Sequence, residues 1–573
     1  MRLAEIRIEN FRGVHSLHLP LDRLTVLVGE NNTGKSTVLE AIRLVLMRGF
    51  GSRRNRQFSE YDFHLKDAHA TPQTAQPIQI TLHFAEEREN EWPEVIIQQM
   101  NEVVQLDTDG LYHLWLRAEG AFNPGLASIE TKWAFLNAGG VELALKNTTP
   151  LNLISRFVPL FFLSALRDAS QEFGKGGQFW SGFLKSIQLP DDQREQIEKM
   201  LQVVNASVIG ANTGLQEVIQ KIADAKRLVP LDSTDPVILE AIPTRVFDMV
   251  GNIQVHLKST DGAKIPLHRH GEGTQSLAVL MLFQAFVAAN LAEAYAPEST
   301  PILALEEPEA HLHPSAIRSL GFFLQSMAGQ MLVSSHSGDL VSRVPVMSLR
   351  RLYKQNGETK VGRVGNGLFT DRELQVIDYN IRLAKGHYLF SRCWLLVEGE
   401  SEFHLMPLLF ETMGYSQDQI SFSIIEFSQI FEKGESFIKL AKALGIQWFM
   451  MTDGDQEGDK YINRANNHLE HDENLPDRTR KLSHLNIEHE FWHGGYDQFI
   501  TDMVTTARQK QIDVYGNDVA KKTKLMIEAA IEQAGGKPAF AQALAKEIQR
   551  RSSGTIPQTI QDIIAHVVRL AGG

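Results

Sequence analysis

An α/β protein of more than one unit is the fold class this sequence predicts, on three observations. Leu24 to Val28 form an apolar run that feeds the glycine-rich loop GENNTGKS, Gly29 to Ser36, and then the helical pattern STVLEAIRLVLM. From PILALEEPEA to QMLVSSHS a strand, a helix and a second strand follow one another. After Cys393 the alternation restarts: WLLVEG, SFSIIEF and WFMMT read as strands, and SEFHLMPLLFETM and GESFIKLAKALG as the helices between them. Strands alternating with helices bury a largely parallel sheet beneath helical layers.

At 573 residues the chain exceeds what one hydrophobic core serves, and about three domains are expected. With 43% hydrophobic and 22% charged residues it is ordinary for a folded protein, and no low-complexity tract or internal repeat stands out. The single cysteine, Cys393, excludes an internal disulfide framework and fits a reducing compartment, so the cytoplasm is expected. MRLAEIRIENF alternates like a strand and lacks the apolar core of an export signal. LAVLMLFQAFVAANLAEAYA, from Leu277, approaches membrane-spanning length but is broken by Gln284, Asn290 and Glu293, and reads as a buried helix. No membrane association is expected. A net charge of -12 excludes a chain that is basic throughout, so any grip on nucleic-acid phosphates falls to local Lys/Arg patches or to bound metal.

Leu3 to Ile8 reads as a first strand, and PIQITLHF (77–84) and LYHLWLR (111–117) as antiparallel strands of a second sheet packed near the first. The polar stretch from 170 to 228 is helical in pattern. Within it DDQREQIEKMLQVV is amphipathic, either part of a protruding pair suited to dimer contact or a plain surface helix. KQNGETKVGRVGNG, polar and glycine-containing, is expected to mark a boundary.

GENNTGKS satisfies GxxxxGK[ST] between a strand and a helix, the context in which that spacing cradles phosphates. At average composition a chain of this length holds about 0.02 such matches by chance. The amides of Asn31, Asn32, Thr33 and Gly34 and the helix N-terminus would face the phosphates. Lys35 would reach the terminal phosphates, and the Ser36 hydroxyl, with Thr37 beside it, would ligate Mg2+. ILALEEPEAHLHP adds an apolar strand ending in Glu306, a candidate Mg2+ ligand, and Glu307, which can orient or deprotonate water. LVSSHS puts His336 at the end of another apolar strand, where an imidazole can sense a γ-phosphate. ATP and Mg2+ are the expected ligands.

This ordered set resembles the ABC-type ATPases of the structural-maintenance and recombination-repair group, in which a long insertion separates the P-loop from the Walker B strand. NFRG, Asn10 to Gly13, is similar to their opening and makes Arg12 a candidate nucleotide contact. The resemblance implies a signature loop that closes over ATP bound to another subunit. HRHGEGTQSL, with Gly271, Gly273 and Gln275, is the candidate and departs from the usual Ser-Gly-Gly. Glu306 stands where Asp is usual. Asp62, in SEYDFHL, falls where a Q-loop glutamine would, and its role is open.

FMMTDGDQEG runs from an apolar strand into Asp453, Asp455 and Glu457. As a calcium loop it fails, because its twelfth position is Arg464 where a bidentate Glu is needed. A turn-forming acidic surface loop is the plain alternative. LLVEGESEFHLM ends a strand at Glu398 and puts Glu402 on the first turn of the next helix, so both can face one point. Clustered carboxylates suit Mg2+ or Mn2+ and do not stay close and ionised without a cation. Glu398, Glu402, Asp453 and Asp455 are therefore the candidate catalytic metal ligands, with Glu457, and Glu488 or Glu490 of NIEHEFWH, as further acids. His484, His489 and His493 lack a zinc spacing, and no zinc is expected. Lys537, in GGKPAF, is a candidate to stabilise transition-state charge, or an exposed helix start.

A strand ending in Glu-Gly, a helix, and a later strand ending in Asp-x-Asp resembles the Toprim fold of topoisomerases, primases and some nucleases. An ABC-type ATPase joined to a C-terminal Toprim module resembles the OLD (overcoming lysogenization defect) nucleases, and EEPEAHLHP, LFSRCWLLVEGESE and TDGD are similar to their motifs. The resemblance implies an ATPase in two parts (1–165 and 236–385), a helical dimerisation insertion (166–235) and a Toprim nuclease domain (386–573). It gives Lys537 a catalytic role as the family's late Toprim lysine. It also implies an ATP-regulated, metal-dependent endonuclease of double-stranded DNA, a homodimer or larger, in bacterial antiphage defence. A defence partner, such as a helicase or a retron reverse transcriptase with its msDNA, would fit that setting. Two other classes compete. A topoisomerase-like nicking enzyme needs a tyrosine nucleophile, and none of the 10 tyrosines lies in a recognisable motif. A DNA-repair ATPase clamp would use its Toprim fold as a docking module.

Overall fold

Leu3, Ile6 and Ile8 are fully buried while Arg7 and Glu9 stay outside, which makes β1 (Arg2–Phe11) a strand with one face on a core. It turns back antiparallel into β2 (Val14–Pro20), and β3 (Leu24–Val28) then leaves for a second sheet. β4 (Ile78–Ala85), β5 (Gln105–Leu106), β6 (Tyr112–Asn123) and β7 (Ser128–Leu136) complete the first sheet. Its order is β2-β1-β4-β6-β5, with β7 also on β6, and every pairing is antiparallel. The two alternating segments expected at 77–84 and 111–117 are thus adjacent strands, with Leu82 opposite Leu116.

The second sheet gathers β3 with β8 (Leu160–Leu163), and β9 (His256–Lys258) and β10 (Lys264–Pro266) form a separate hairpin. β11 (Ile302–Glu306), β12 (Gln330–Ser334), β13 (Leu349–Gln355) and β14 (Glu358–Gly362) fill the second sheet in the order β14-β13-β3-β12-β11-β8, parallel except for β14. The third sheet is wholly parallel: β15 (Cys393–Val397), β16 (Phe422–Glu426), β17 (Gln447–Thr452) and β18 (Thr479–Lys481), ordered β16-β15-β17-β18.

This computed structural model describes residues 1–46, 58–67, 69–146, 149–163, 190–216, 242–246, 256–258, 264–271, 273–274, 278, 281, 298–310, 312–383, 386–427, 434–471, 473–551 and 555–572. Among the described residues, three cores hold the chain together. One lies between the first sheet and the helix Lys35–Leu46. A second is shared by the second and third sheets, so that Val26 and Leu303 belong to the same apolar cluster as Trp394 and Trp448. The third covers the other face of the third sheet with the helices Val519–Ala534, Lys537–Arg551 and Gln558–Leu570. Cys393 is fully buried in that last core, and burial pushes its thiol up to about 12.

KQNGETKVGRVGNG departs from expectation, for its first nine residues, Lys354 to Gly362, belong to the β13–β14 hairpin of the second sheet rather than to a boundary. Asn356 and Gly357, at φ 52 and 81, form the tight two-residue turn, the left-handed pair that Asn-Gly favours. In the expected insertion the helix Asp191–Gly210 is present and leaves Met200, Val203, Val204 and Val208 exposed. Residues 164–189 and 217–241, where a second helix of the pair would fall, lie outside the described residues, as do Gln275 and nearly all of the apolar run from Leu277. Among the described residues no helix is long and apolar enough to cross a membrane.

Candidate functional site

At the end of β3, Gly29 (φ 143) turns the chain so tightly that a Cβ there would lie 2.1 Å from the Leu352 carbonyl oxygen. Asn32 (φ 62) and Gly34 (φ 104) continue the curl, and a helix begins at Lys35 with its first amides free to face an anion. Asn31, Asn32 and Ser36 are exposed, whereas Lys35 is buried. Its Nζ donates to the carbonyl oxygens of Gly29 (2.8 Å) and Glu30 (2.7 Å). Burial lowers the lysine pKa to about 8, opposed by Glu307 and Glu30. A cation held at the curl of a glycine-rich loop, before a helix N-terminus, fits the phosphates of a nucleotide.

Glu307 sits in the left-handed region at φ 46 and donates its amide to the Ser334 carbonyl, an uncommon conformation for a non-glycine residue. Its carboxylate is 3.5 Å from His336 Nε2. Burial lowers the His336 pKa, Lys35 lowers it further, and Glu307 opposes both. Lys35, Glu307 and His336 are therefore brought together. Glu306 ends β11 opposite Ser334. Glu309, which the sequence reading passed over, holds the histidine loop: its Oε1 accepts from Ser335 Oγ (2.7 Å), the His336 amide (2.8 Å) and the Ser337 amide (3.1 Å). Its signal was the third acid of EEPE. Arg12 donates to the buried Asp62 at 2.8 Å, so the open role of Asp62 is at least to fix Arg12. Gly271 accepts from the Thr274 amide, and Gly273 begins the short helical turn after it.

The second group of residues stands at the C-terminal edge of the third sheet. β15 and β17 are neighbours with Val397 opposite Met451, so Glu398 and Asp453 emerge side by side. The Asp453 amide donates to Glu398 Oε2 at 3.0 Å. Glu402, on the first turn of the helix Glu400–Thr412, is buried beside them. Glu488 joins from the helix Ile487–Phe491, buried and accepting from Ser401 Oγ at 2.5 Å. Glu490 turns instead to the Ser483 amide and to His484. Lys537 begins its helix close enough to bear on the Glu402 carboxyl.

Burial, then Glu488, pushes the Glu402 carboxyl above the usual range. Burial, then Glu402, Glu398 and Glu488, does the same to Asp453. Asp453 Oδ1 is buried with no hydrogen-bond partner among the described residues. An orphaned acceptor among mutually repelling carboxylates fits a hard divalent cation. As the side chains stand, no three acids or imidazoles among the described residues converge as a ready ligand set. Glu398 is engaged by the Asp453 amide and Glu488 by Ser401. Asp455 caps the helix Gln456–Asn466 by accepting from the Gly458 amide at 2.9 Å, and Glu457 turns along that helix to Lys460 and Tyr461. A Cβ on Gly454 would lie 2.0 Å from the His484 carbonyl oxygen, so the acidic loop lies flush against the Leu482–Leu485 segment. Beside it His484 and His493 stack with ring centres 4.2 Å apart.

Residues 1–387 match the family model described as a protein of unknown function (DUF2813), and residues 389–455 match the overcoming lysogenization defect protein-like TOPRIM domain. An uncharacterized protein, YbjD, of Escherichia coli (strain K12) is 25% identical over 578 residues, covering 100% of both chains. The Old nuclease of Escherichia phage P2 is 23% identical over 482 residues, 79% of this chain and 77% of that one. Endonuclease GajA of Bacillus cereus (strain VD045) is 22% identical over 418 residues, 72% of this chain and 67% of that one. Among solved structures, the C-terminal region of the Xanthomonas campestris pv. campestris OLD protein is 20% identical with a TM-score of 0.27, covering 33% of this chain and 97% of that one.

Proposed function

Because this chain belongs to the DUF2813 family and carries an OLD-like TOPRIM domain behind that region, we propose that it is an ATP-regulated, divalent-metal-dependent DNA endonuclease of bacterial antiphage defence. The observation that carries the reading is the carboxylate group at the edge of the third sheet, with Asp453 Oδ1 unpartnered among the described residues and the Lys537 charge bearing on Glu402. The names of the phage P2 and Bacillus cereus relatives, both nucleases, support it.

Glu398, Glu402, Asp453 and Glu488 would hold the cation, which would supply Lewis-acid activation of water and charge neutralisation on a phosphodiester. The chain's own groups prepare that site. Ser401 fixes the Glu488 carboxylate, and the Asp453 amide fixes Glu398. Asp455 secures the helix behind the loop. Lys537, an exposed ammonium beside Glu402, would draw a phosphate oxygen toward the acids and offset the charge that develops on it.

In the ATPase half, Lys35 would release its two carbonyl partners for the terminal phosphates, Ser36 and Glu306 would serve Mg2+, and Glu307 would orient water under His336. Opening and closing of this half would gate DNA at the acids. The exposed apolar face of the helix Asp191–Gly210 supports a homodimer or larger assembly through the insertion.

Incubating the pure protein with supercoiled plasmid and Mg2+ or Mn2+ tests the reading. Cleavage that Glu398→Ala and Asp453→Ala abolish is expected, and wild-type activity in either variant would sink the site assignment. A trapped covalent DNA adduct would point to a topoisomerase-like enzyme instead. Absence of cleavage by the pure chain would favour a DNA-repair clamp.

A further inference from the structure

The two candidate sites meet at a junction that neither uses. Arg351, on β13, lies in register with Val28 at the mouth of the P-loop and is buried, with no carboxylate bonded to it among the described residues. Its guanidinium donates to four backbone carbonyls of the third-sheet unit: Leu389 (3.2 Å), Ser391 (2.8 Å), Leu444 (3.3 Å) and Gly445 (3.0 Å). Those carbonyls immediately precede β15 and β17, the strands that end at Glu398 and Asp453. Arg392 adds a second tie. Its amide donates to Ser421 beside β16, its carbonyl accepts from Gln447 of β17, and its guanidinium grips Glu30 with Nε and Nη2 at 2.5 and 2.8 Å. Glu30 follows the first P-loop glycine, and its carbonyl is one of the two that hold Lys35. A cavity of about 480 Å³, lined by Glu30, Arg351, Tyr353, Arg392 and Gly572, leaves the pair room to separate.

We propose that Arg392 and Arg351 are positioning residues through which the P-loop sets the placement of the carboxylate-bearing strands. Phosphates arriving on the loop take Lys35 off the Glu30 carbonyl. Glu30 shifts, and Arg392 carries the shift to the starts of β15, β16 and β17. A strand transmits it to its far end, about 20 Å away over six residues, where Glu398 and Asp453 stand. The inference rests on the reading of the P-loop as a nucleotide site.

Hydrogen exchange on the full chain, with and without ATPγS, tests it, with binding of a fluorescent methylanthraniloyl-ATP followed in parallel. In the wild type, nucleotide is expected to change exchange over 389–398 and 444–453. Arg392→Gln should lose that change while still binding the fluorescent nucleotide, and Arg392→Lys should retain it. Arg392 is half-exposed, so the variants are expected to fold. An Arg392→Gln protein that keeps the wild-type response overturns the proposal, as does a wild type that binds nucleotide without any change in those segments. Failure of the wild type to bind nucleotide at all overturns the P-loop reading itself and the junction with it.

Discussion

Glu398 and Asp453, 55 residues apart in sequence, are joined by a hydrogen bond from the Asp453 amide to Glu398 Oε2 at 3.0 Å. One carboxylate thus supports the backbone that presents the other. Glu398→Ala should therefore cost more than a ligand, because it also frees the Asp453 amide. Plasmid cleavage is expected to fall by at least about 100-fold in Glu398→Ala and in Asp453→Ala. Glu490→Ala, which removes an acid directed elsewhere, should retain nuclease activity.

Burial of the carboxylates at this edge, and then their mutual repulsion, should show as a stability penalty without metal. A carboxyl whose folded pKa is raised holds its proton more tightly when folded, so its contribution is full below the ordinary aspartate range and is lost as pH rises. Asp453→Asn removes that loss. In metal-free buffer the variant should melt above the wild type, with the gap widening from pH 5 to pH 8. Adding Mn2+ should narrow the gap by stabilising the wild type alone. Differential scanning calorimetry reads both effects.

Lys35 gives the P-loop half its own signature. With its pKa lowered to about 8 in the free loop, part of the population is neutral at pH 8, and bound phosphates raise the pKa again. Nucleotide binding at pH 8 should take up a fraction of a proton, and at pH 6 should take up none through Lys35. Titration calorimetry in buffers of different ionisation enthalpy measures this, and Lys35→Met should abolish the uptake.

Gly454 tests the packing of the acidic loop. A methyl group there meets the His484 carbonyl at 2.0 Å, so Gly454→Ala should destabilise the chain by about 2–4 kcal/mol and abolish cleavage. Nucleotide binding is expected to persist if the P-loop half keeps its fold. Chemical denaturation and nucleotide titration separate the two.

The helix face Met200, Val203, Val204 and Val208 tests assembly. Met200→Glu with Val204→Glu should shift the protein toward monomer in light scattering behind a sizing column. An unchanged mass would place the oligomer contact elsewhere.

Much of this was legible in the sequence, and the reasons are physical. The P-loop and the strand-end acids are short, local patterns in which one strand delivers the residue that follows it. Glu488 was only half legible: spacing offered it equally with Glu490, and the choice was made by Ser401 from 87 residues away. The Asn356-Gly357 turn carried a strong hairpin signal that the surrounding polar residues masked. Arg351 was illegible, since nothing in RRLYKQ says that its guanidinium will find four carbonyls, two of them more than 90 residues later.

Cys393 gives the chain a built-in clock. A thiol reacts as its thiolate, and this one is buried at the start of β15 and held in its protonated form. A maleimide therefore labels the native protein only as often as the third sheet opens. With one cysteine in the sequence, the labelling rate counts those openings without any engineered probe.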